Sequence, residues 1–251
     1  MQTLISVVIA AHNEESYLPY CIAGLIPCSI HEAIFVLDRC TDRSKEIILN
    51  TRFPFKVKIL ELKDKRWKSL TAEPFALGCK AASGNIIYVV GADIYVDPRI
   101  FNVDWTDMDV CSFKLTSYRL FGKKTLISTL IVRLRDFIIS NYEKIKTKMV
   151  HLHFGTGLYA FKKSVYNNVP HIDCDAEDQY FLNTTMQKGY RYKYFGWSKS
   201  LHLRPDNPRS LKFRAELAAK EYHTNLIKAV WYTLKYLSTY YLQEYLLAKY
   251  A

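Results

Sequence analysis

NIIYVVGADIYVDP, from Asn85 to Pro98, places an aspartate directly after an apolar run that predicts a strand. A carboxylate at this position is costly to remove from water unless another group pairs with it. Gly91, Asp93 and Pro98 are all common where a strand ends, so a simple turn is one interpretation. The other is a metal ligand at the carboxyl end of a sheet, where open α/β folds bind their ligands.

The first hundred residues alternate between predicted strands and helices. Three further apolar runs predict strands, LISVVIAA (4–11), EAIFVLD (32–38) and KVKILEL (56–62). The first of them is nearly continuous in apolar residues, which is typical of a strand buried on both faces. Helical segments lie between the strands, and Thr41 or Asp42 is placed to cap one of them. This order predicts an α/β fold with a mostly parallel central sheet flanked by helices.

The second part of the chain carries less regular signals. DVCSFKL and GTGLYAF predict strands, and apolar residues from Leu126 to Ile138 recur at helical spacing. A breaker-rich stretch, Arg204–Arg209, predicts a domain boundary. We therefore predict one domain over 1–205, with halves 1–98 and 99–205, and an amphipathic helical tail over 206–251. The tail's tyrosine-rich apolar face favours packing on its own domain or in a homodimer, and lipid headgroups are the alternative.

Positive charge is concentrated in one segment. The chain has 35 Lys and Arg against 24 acids, a formal charge of +11, and residues 119–163 hold ten of these bases with two acids. Such a segment suits nucleic acid, anionic lipid or a phosphorylated substrate, and it is also typical of a solvated helix face.

Cysteine usage and hydropathy bound the compartment. The six cysteines show no CxxC pair and no metal-type spacing, which predicts mostly reduced, buried thiols. The N-terminus does not resemble a signal peptide, and no run of about 18 uncharged apolar residues predicts a transmembrane helix. We expect a cytoplasmic protein that is either free or peripheral on a membrane.

Four polar groups follow predicted strands. They are His12–Glu15 after the first strand, Asp38 after the second, Asp93 after the fourth, and Glu177 with Asp178 after GTGLYAF. Each has an ordinary explanation, a turn or the first turn of a helix. Together they are expected at one edge of the sheet, where a nucleotide would lie. Neither GxGxxG nor GxxxxGK[ST] is present, so the sequence supports no Rossmann dinucleotide site and no P-loop.

The ordered motifs SVVIAAHNEE, VLDRCTDRS, ALGCKAASGNIIYVVGAD and GTGLYAF…AEDQYF resemble family 2 glycosyltransferases of GT-A fold, over residues 4 to 205. The resemblance implies transfer of a hexose, with inversion, from a UDP- or GDP-sugar to a hydroxyl or phosphate of a glycan or lipid-linked acceptor. It implies a nucleotide-binding half over 1–98 and an acceptor half over 99–205. The residues it implicates in binding the donor nucleotide are Ala11, Asn13, Glu14, Asp38 and Asp93.

The resemblance also implies a divalent cation, Mn²⁺ or Mg²⁺, and a general base. Asp93 corresponds to the last aspartate of the family's DxD motif and so to a metal ligand, whereas Gly91 stands where the family has its first aspartate. His202 is then the candidate for a second ligand, with a surface histidine as the alternative. Asp178 corresponds to the base that deprotonates the acceptor, supported by Glu177.

Further contacts are predicted around the acceptor. Gly155, Thr156 and Gly157 allow close approach of the backbone to donor or acceptor, with a tight turn as the alternative. Arg204 is placed to assist the leaving diphosphate. Trp67 and Trp197 either stack on a sugar or fill the core, and the core is our expectation.

Three other functions compete with this one. A non-catalytic nucleotide- or polyanion-binding protein on a degenerate scaffold would explain Gly91. Nucleic-acid binding would explain the basic segment, but it leaves the carboxylates unexplained and no recognition motif is present, so we expect no nucleic-acid partner. A nucleotidyltransferase ranks last, because the glycine-rich opening loop that contains an arginine is absent.

Overall fold

The computed structural model describes residues 3–64, 66–69, 71–117, 157–174 and 177–203. All of them except Ser117 belong to a compact unit that comprises Met1–Thr116 and His153–Leu203. Most of the basic segment, the predicted helix over 126–138 and the tail over 206–251 lie outside the described residues. The division at residue 205 stays a prediction.

The first half of the unit is a four-stranded parallel sheet with helices between its strands. The strands are β1 (Ile5–Ala11), β2 (Glu32–Asp38), β3 (Lys56–Leu62) and β4 (Ile86–Gly91). The helices are α1 (Leu18–Leu25), α2 (Ser44–Leu49) and α3 (Ala72–Ala81). β1 pairs in parallel with β2 and β4, and β2 pairs in parallel with β3. All four carboxyl ends therefore reach one edge of the sheet, as the alternation predicts.

The second half adds antiparallel strands to the same sheet. These are β5 (Ile94–Tyr95), β6 (Val110–Ser117), β7 (Leu158–Lys162) and β8 (Tyr192–His202), with a 3₁₀ helix (Pro98–Asn102), α4 (Lys163–Asn168) and α5 (Glu177–Gln187). The strand order is β3-β2-β1-β4-β7-β6-β8-β5. β7 lies antiparallel to β4, and β8 antiparallel to β5. The beginning of β7 and the end of β8 therefore meet the end of β4.

The core lies on both faces of the parallel strands. Val7 and Ile9 of β1 pack with α1, whereas Val8 between them packs with Phe75 and Cys79 of α3. All of these side chains are buried. Alternate side chains of β1 thus serve opposite layers, which is why its sequence is apolar throughout.

Two further features are the state of the cysteines and the length of the helices. All six cysteines are free thiols, four of them buried and two partly exposed. No helix within the described ranges is long and apolar enough to cross a membrane.

Candidate active site

The loop after β1 is held against the loop after β2. Asn13 adopts a left-handed backbone (φ 56°), and its Oδ1 accepts a 2.8 Å hydrogen bond from the Thr41 backbone N–H. The Ala11 carbonyl accepts from the Cys40 thiol at 3.3 Å. Asn13 and Ala11 therefore join the loop after β1 to the loop after β2. A sugar nucleotide that contacted either residue would bind to these joined loops.

Asp38 ends β2 as a buried carboxylate, 5% exposed. Arg39 donates to both of its oxygens, from Nε at 2.7 Å and from Nη2 at 2.6 Å. The Arg39 side chain thus binds the side chain of the residue directly before it, and the Arg39 backbone is left-handed (φ 50°). Each oxygen keeps a lone pair for a further donor, so Asp38 can still accept from a ligand hydroxyl or amide.

Glu14 and Asp93 both raise the pKa of one buried thiol, that of Cys21. Glu14 is buried, and its backbone N–H donates to Ser44 Oγ at 2.9 Å. Burial raises the pKa of the Cys21 thiol, and the charges of Asp93 and Glu14 raise it further. The same thiol donates to the Gly91 carbonyl. The acids after β1 and β4 therefore both influence the Cys21 thiol.

Asp93 is paired with His202. Asp93 Oδ2 lies 3.1 Å from His202 Nε2, with side chains 17% and 23% exposed. Ile94 is opposite His202 in the β5–β8 ladder, and the Leu203 N–H donates to the Asp93 carbonyl at 2.8 Å. Backbone pairing thus brings together two residues that are more than a hundred positions apart.

The Asp93–His202 pair fits a divalent cation as a partial ligand set. Two adjacent ligands of an octahedral ion with bonds of about 2.1–2.2 Å lie roughly 3.0 Å apart, close to the separation of these two atoms. Within the described ranges, no cluster of three or more His, Cys, Asp or Glu side chains supplies a complete site. The remaining ligands would have to come from phosphate oxygens or water.

Gly91 affects the same carboxylate. A Cβ built on Gly91 would lie 2.9 Å from Asp93 Oδ1 and 3.3 Å from Ile94 Cδ1. An aspartate at position 91 would therefore displace the Asp93 carboxylate from its observed position. The glycine is compatible with the rotamer in which Asp93 meets His202.

Asp178 and Glu177 begin α5 and have different surroundings. The Gly157 N–H points to Asp178 Oδ2 at 3.5 Å, a long contact. The Gly157 carbonyl accepts from the Gly91 N–H at 3.2 Å. Gly157, with φ of 55°, thus connects the end of β4 to Asp178.

Glu177 makes a contact of a different kind. It is buried, and its Oε2 accepts a 2.6 Å hydrogen bond from Thr71 Oγ1, just before α3. This hydrogen bond joins the start of α5 to the residue before α3, and support of Asp178 by Glu177 stays a prediction.

The family model described as "Glycosyl transferase family 2" matches residues 6–166, more than half of the chain. The chain belongs to this family. A comparison with curated protein sequences finds no match.

Solved structures show the fold of this family 2 glycosyltransferase. TarS 1-349 from S. aureus is similar with a TM-score of 0.60 at 16% identity, covering 96% of this chain and 72% of that one. The same protein in complex with UDP-GlcNAc gives 0.57 at 15%, covering 95% and 72%. Glucosyl-3-phosphoglycerate synthase from Mycobacterium tuberculosis, in complex with Mn²⁺, UDP and glucosyl-3-phosphoglycerate, gives 0.60 at 15%, covering 86% and 78%. The described unit has the GT-A fold, as its motifs predict.

Some predicted site residues of this glycosyltransferase are brought together and others are not described. The residues at the carboxyl edge are Ala11, Asn13, Glu14, Asp38, Asp93, Gly157, Glu177, Asp178 and His202. Gly155, Thr156 and Arg204 lie outside the described residues. The expectation that both tryptophans fill the core is wrong for Trp197, which is 43% exposed with the Arg99 guanidinium 5.2 Å above its ring. Trp67 is half-buried.

Sequence reasoning missed three residues of the site. Arg39 follows Asp38 directly, and its position beside an edge carboxylate was a usable signal. Glu73 and Asp173 bind the loop after β3 through its backbone. They gave no signal, because an acid that receives backbone N–H groups looks like any surface acid in the sequence.

Proposed function

We propose that this chain transfers a hexose, with inversion, from a UDP-sugar to an acceptor hydroxyl. The observation that carries the proposal is the 3.1 Å pairing of Asp93 with His202 at the edge where Gly157 connects β4 to Asp178. Family membership and the UDP and Mn²⁺ named for the similar structures support the same donor class.

Asp93 and His202 would hold a divalent cation, Mn²⁺ or Mg²⁺, against the donor diphosphate. When bound, such a cation neutralises the charge that develops on the leaving nucleoside diphosphate. Asp93 would contribute a hard oxygen ligand, and His202 a ring nitrogen. The loops after β1 and β2 would bind the nucleoside, with Asp38 accepting from it while Arg39 keeps the carboxylate oriented.

Asp178 would act as the general base. A sugar hydroxyl is a poor nucleophile at neutral pH, and a carboxylate within hydrogen-bond reach typically speeds its attack by about 10²–10⁴-fold. The hydroxyl oxygen forms a bond to the anomeric carbon as the bond to the diphosphate oxygen breaks, and the hydroxyl proton goes to Asp178. Attack opposite the leaving group inverts the anomeric centre.

The acceptor, we propose, is a glycan or a lipid-linked saccharide. The basic segment over 119–163 suits an anionic acceptor or membrane, and the tail suits a homodimer or lipid headgroups. This part of the proposal places the enzyme in the cytoplasm, peripheral on the membrane. Flotation with anionic and neutral vesicles tests it: binding to the anionic vesicles alone at low salt is expected, and no binding contradicts the membrane association.

The donor proposal is tested by thermal shift and turnover. UDP-glucose, UDP-N-acetylglucosamine and a GDP-sugar are each added with Mn²⁺ or EDTA to the wild type and to Asp178→Asn. A ligand that binds only the folded state raises the midpoint. We expect a Mn²⁺-dependent shift with UDP-sugars in both proteins, and donor cleavage reduced at least 100-fold in Asp178→Asn. Asp107→Asn, at a 94% exposed side chain, is the matched control and keeps full turnover.

The competing function is a non-catalytic nucleotide-binding protein, and Gly91 is the observation that favours it. It predicts a shift that is indifferent to metal and no donor cleavage by the wild type. The absence of a shift with every sugar nucleotide contradicts both functions.

A further inference from the structure

The loop after β3 is fastened through four consecutive backbone N–H groups. Arg66 and Trp67 both donate to Glu73 Oε2 at 3.1 Å. Lys68 donates to Asp173 Oδ2 at 3.0 Å, and Ser69 donates to Asp173 Oδ1 at 2.9 Å. We call residues 66–69 the clamped loop. Two carboxylates from different parts of the chain thus bind every backbone N–H along it.

Glu73, which accepts from Arg66 and Trp67, lies on the side of the site that we propose binds the donor. Glu73 is in the first turn of α3, is buried, and also accepts from Arg66 Nε at 2.8 Å. Burial acts to raise its pKa, but the hydrogen bonds from Arg66 and Trp67 outweigh it and lower the pKa. The Arg39 pKa is raised by its hydrogen bond to Asp38 and also by the charge of Glu73. The Arg39 N–H donates to the carbonyl of Leu62 at 2.8 Å, and Leu62 is the last residue of β3, so the chain leaves β3 beside the Asp38–Arg39 pair and then enters the clamped loop.

Asp173, which accepts from Lys68 and Ser69, lies close in sequence to the start of α5, where the proposed general base Asp178 is. Asp173 lies four residues before α5, which begins with Glu177 and Asp178. A second link runs parallel to the first, because Thr71 Oγ1 donates to Glu177 Oε2 at 2.6 Å. Two carboxylates that flank the start of α5 therefore bind residues 68, 69 and 71, more than a hundred positions away.

We propose that Asp173 and Glu177 are positioning residues that couple the donor-side loop to the general base. They fix the clamped loop and the start of α5 in one arrangement, so that the loop binds the donor in the same geometry that places Asp178. Hydrogen bonds to ionised acceptors are short and directional, and this suits a positioning role. The coupling between the clamped loop and Asp178 rests on the proposed function. The hydrogen bonds that Glu73 and Asp173 accept from the clamped loop do not.

The clamp is tested without any ligand by amide exchange, resolved to single amides by NMR on the intact chain. Asp173→Asn keeps the size of the side chain but leaves one acceptor oxygen in place of two. We expect exchange at Lys68 and Ser69 to rise at least tenfold, with Arg66 and Trp67 little changed. Glu73→Gln is the matched control and should give the reverse pattern. Unchanged exchange at residues 68 and 69 in Asp173→Asn overturns the clamp.

The coupling is tested by UDP affinity, with Mn²⁺, and by turnover. Asp173→Asn is expected to weaken UDP binding about tenfold and also to lower kcat, because it loosens both sides. Thr71→Val removes only the hydroxyl that Glu177 accepts from, so it should lower kcat several-fold with UDP affinity retained. Glu73→Gln should weaken UDP binding with kcat retained at saturating donor.

The outcomes separate the two proposals. Altered exchange with unchanged kcat in both Asp173→Asn and Thr71→Val overturns the coupling and makes the clamp purely structural. A wild type that binds no UDP overturns the proposed function, and the exchange pattern then still decides whether Asp173 fastens the loop.

Discussion

Glu32 and Asp93 are two acids at opposite edges of the same parallel sheet, and their surroundings differ. Glu32 begins β2 and is 1% exposed. Its Oε1 accepts from Ser6 Oγ at 2.6 Å and from Ser83 through both N–H and Oγ, while Lys58 Nζ lies 2.8 Å from Oε2. Burial alone would raise its pKa, but the hydrogen bonds from Lys58, Ser6 and Ser83 lower the pKa to about 2.

Asp93 is at the other end, beside solvent and a histidine. Its side chain is 17% exposed, and its Oδ2 lies 3.1 Å from His202 Nε2. The donors around Glu32 are a backbone N–H, two hydroxyls and the Lys58 ammonium, all from the fold itself, whereas Asp93 meets His202 beside solvent. We infer that Glu32 stabilises the fold, whereas Asp93 is the acid that takes part in the proposed chemistry.

The largest expected effect is on the folding role of Glu32. Glu32→Ala leaves Ser6, Ser83 and Lys58 without their buried acceptor, so we expect a loss of about 3–5 kcal/mol in the free energy of unfolding. Urea denaturation measures it. Glu61→Ala, which removes an exposed partner of Lys45 on the neighbouring strand, is the control and should cost under about 1 kcal/mol. Equal losses in Glu32→Ala and Glu61→Ala would show that Glu32 stabilises the fold no more than an exposed acid does.

Asp93→Asn is expected to have the opposite profile. Removing the carboxylate that we propose as a metal ligand should lower metal-dependent donor turnover on the order of 10²–10³-fold, because the leaving diphosphate would lose its charge stabilisation. The free energy of unfolding should change by less than about 1 kcal/mol, as for surface substitutions. Turnover assays with urea denaturation on the same preparations measure both, and Asp107→Asn is again the control. A variant that keeps wild-type turnover would remove Asp93 from the chemistry.

The Glu32 network also predicts a dependence of stability on pH. The folded-state pKa of about 2 lies below the ordinary value of 4.5, so the stabilisation is fully present above pH 4.5 and is lost as the pH falls toward 2. Between pH 7 and pH 3, the wild type should lose about 2 kcal/mol more than Glu32→Gln, which does not titrate there. Urea denaturation of both proteins at the two pH values measures this difference. Parallel pH profiles would show that Glu32 is not ionised through this network.

The smallest expected effect is at Gly91, which stands where the family has the first aspartate of its DxD motif. In Gly91→Ala, the added Cβ lies 2.9 Å from Asp93 Oδ1, so the carboxylate must rotate. A displaced rotamer costs about 1 kcal/mol, which corresponds to roughly fivefold weaker Mn²⁺-dependent UDP binding. Isothermal titration checks it, with Gly196→Ala as a control in which the new Cβ meets only a side-chain atom at 3.4 Å. Tighter binding in Gly91→Ala would show that the glycine is not needed for the Asp93 geometry.

Much of the parallel half was predictable from the sequence. The apolar runs that became β1, β2 and β4 are read correctly because burial on both faces leaves no room for polar residues. The short strand β5 and the long strand β8 were not predicted. β5 has two residues, and β8 mixes lysines, serines and aromatics without a regular alternation, so neither carries a period.

The fold class, the family and the acids that end the strands could be predicted from the sequence, since strand burial and parallel connection send those acids to one edge. The partners of these acids follow from tertiary contacts. It placed His202 against Asp93, folded Arg39 back onto Asp38, and put Asp173 and Glu177 against a loop a hundred residues away. A hydrogen bond needs an approach of about 3 Å, and residues distant in sequence reach that distance only when strand pairing and helix packing bring them together.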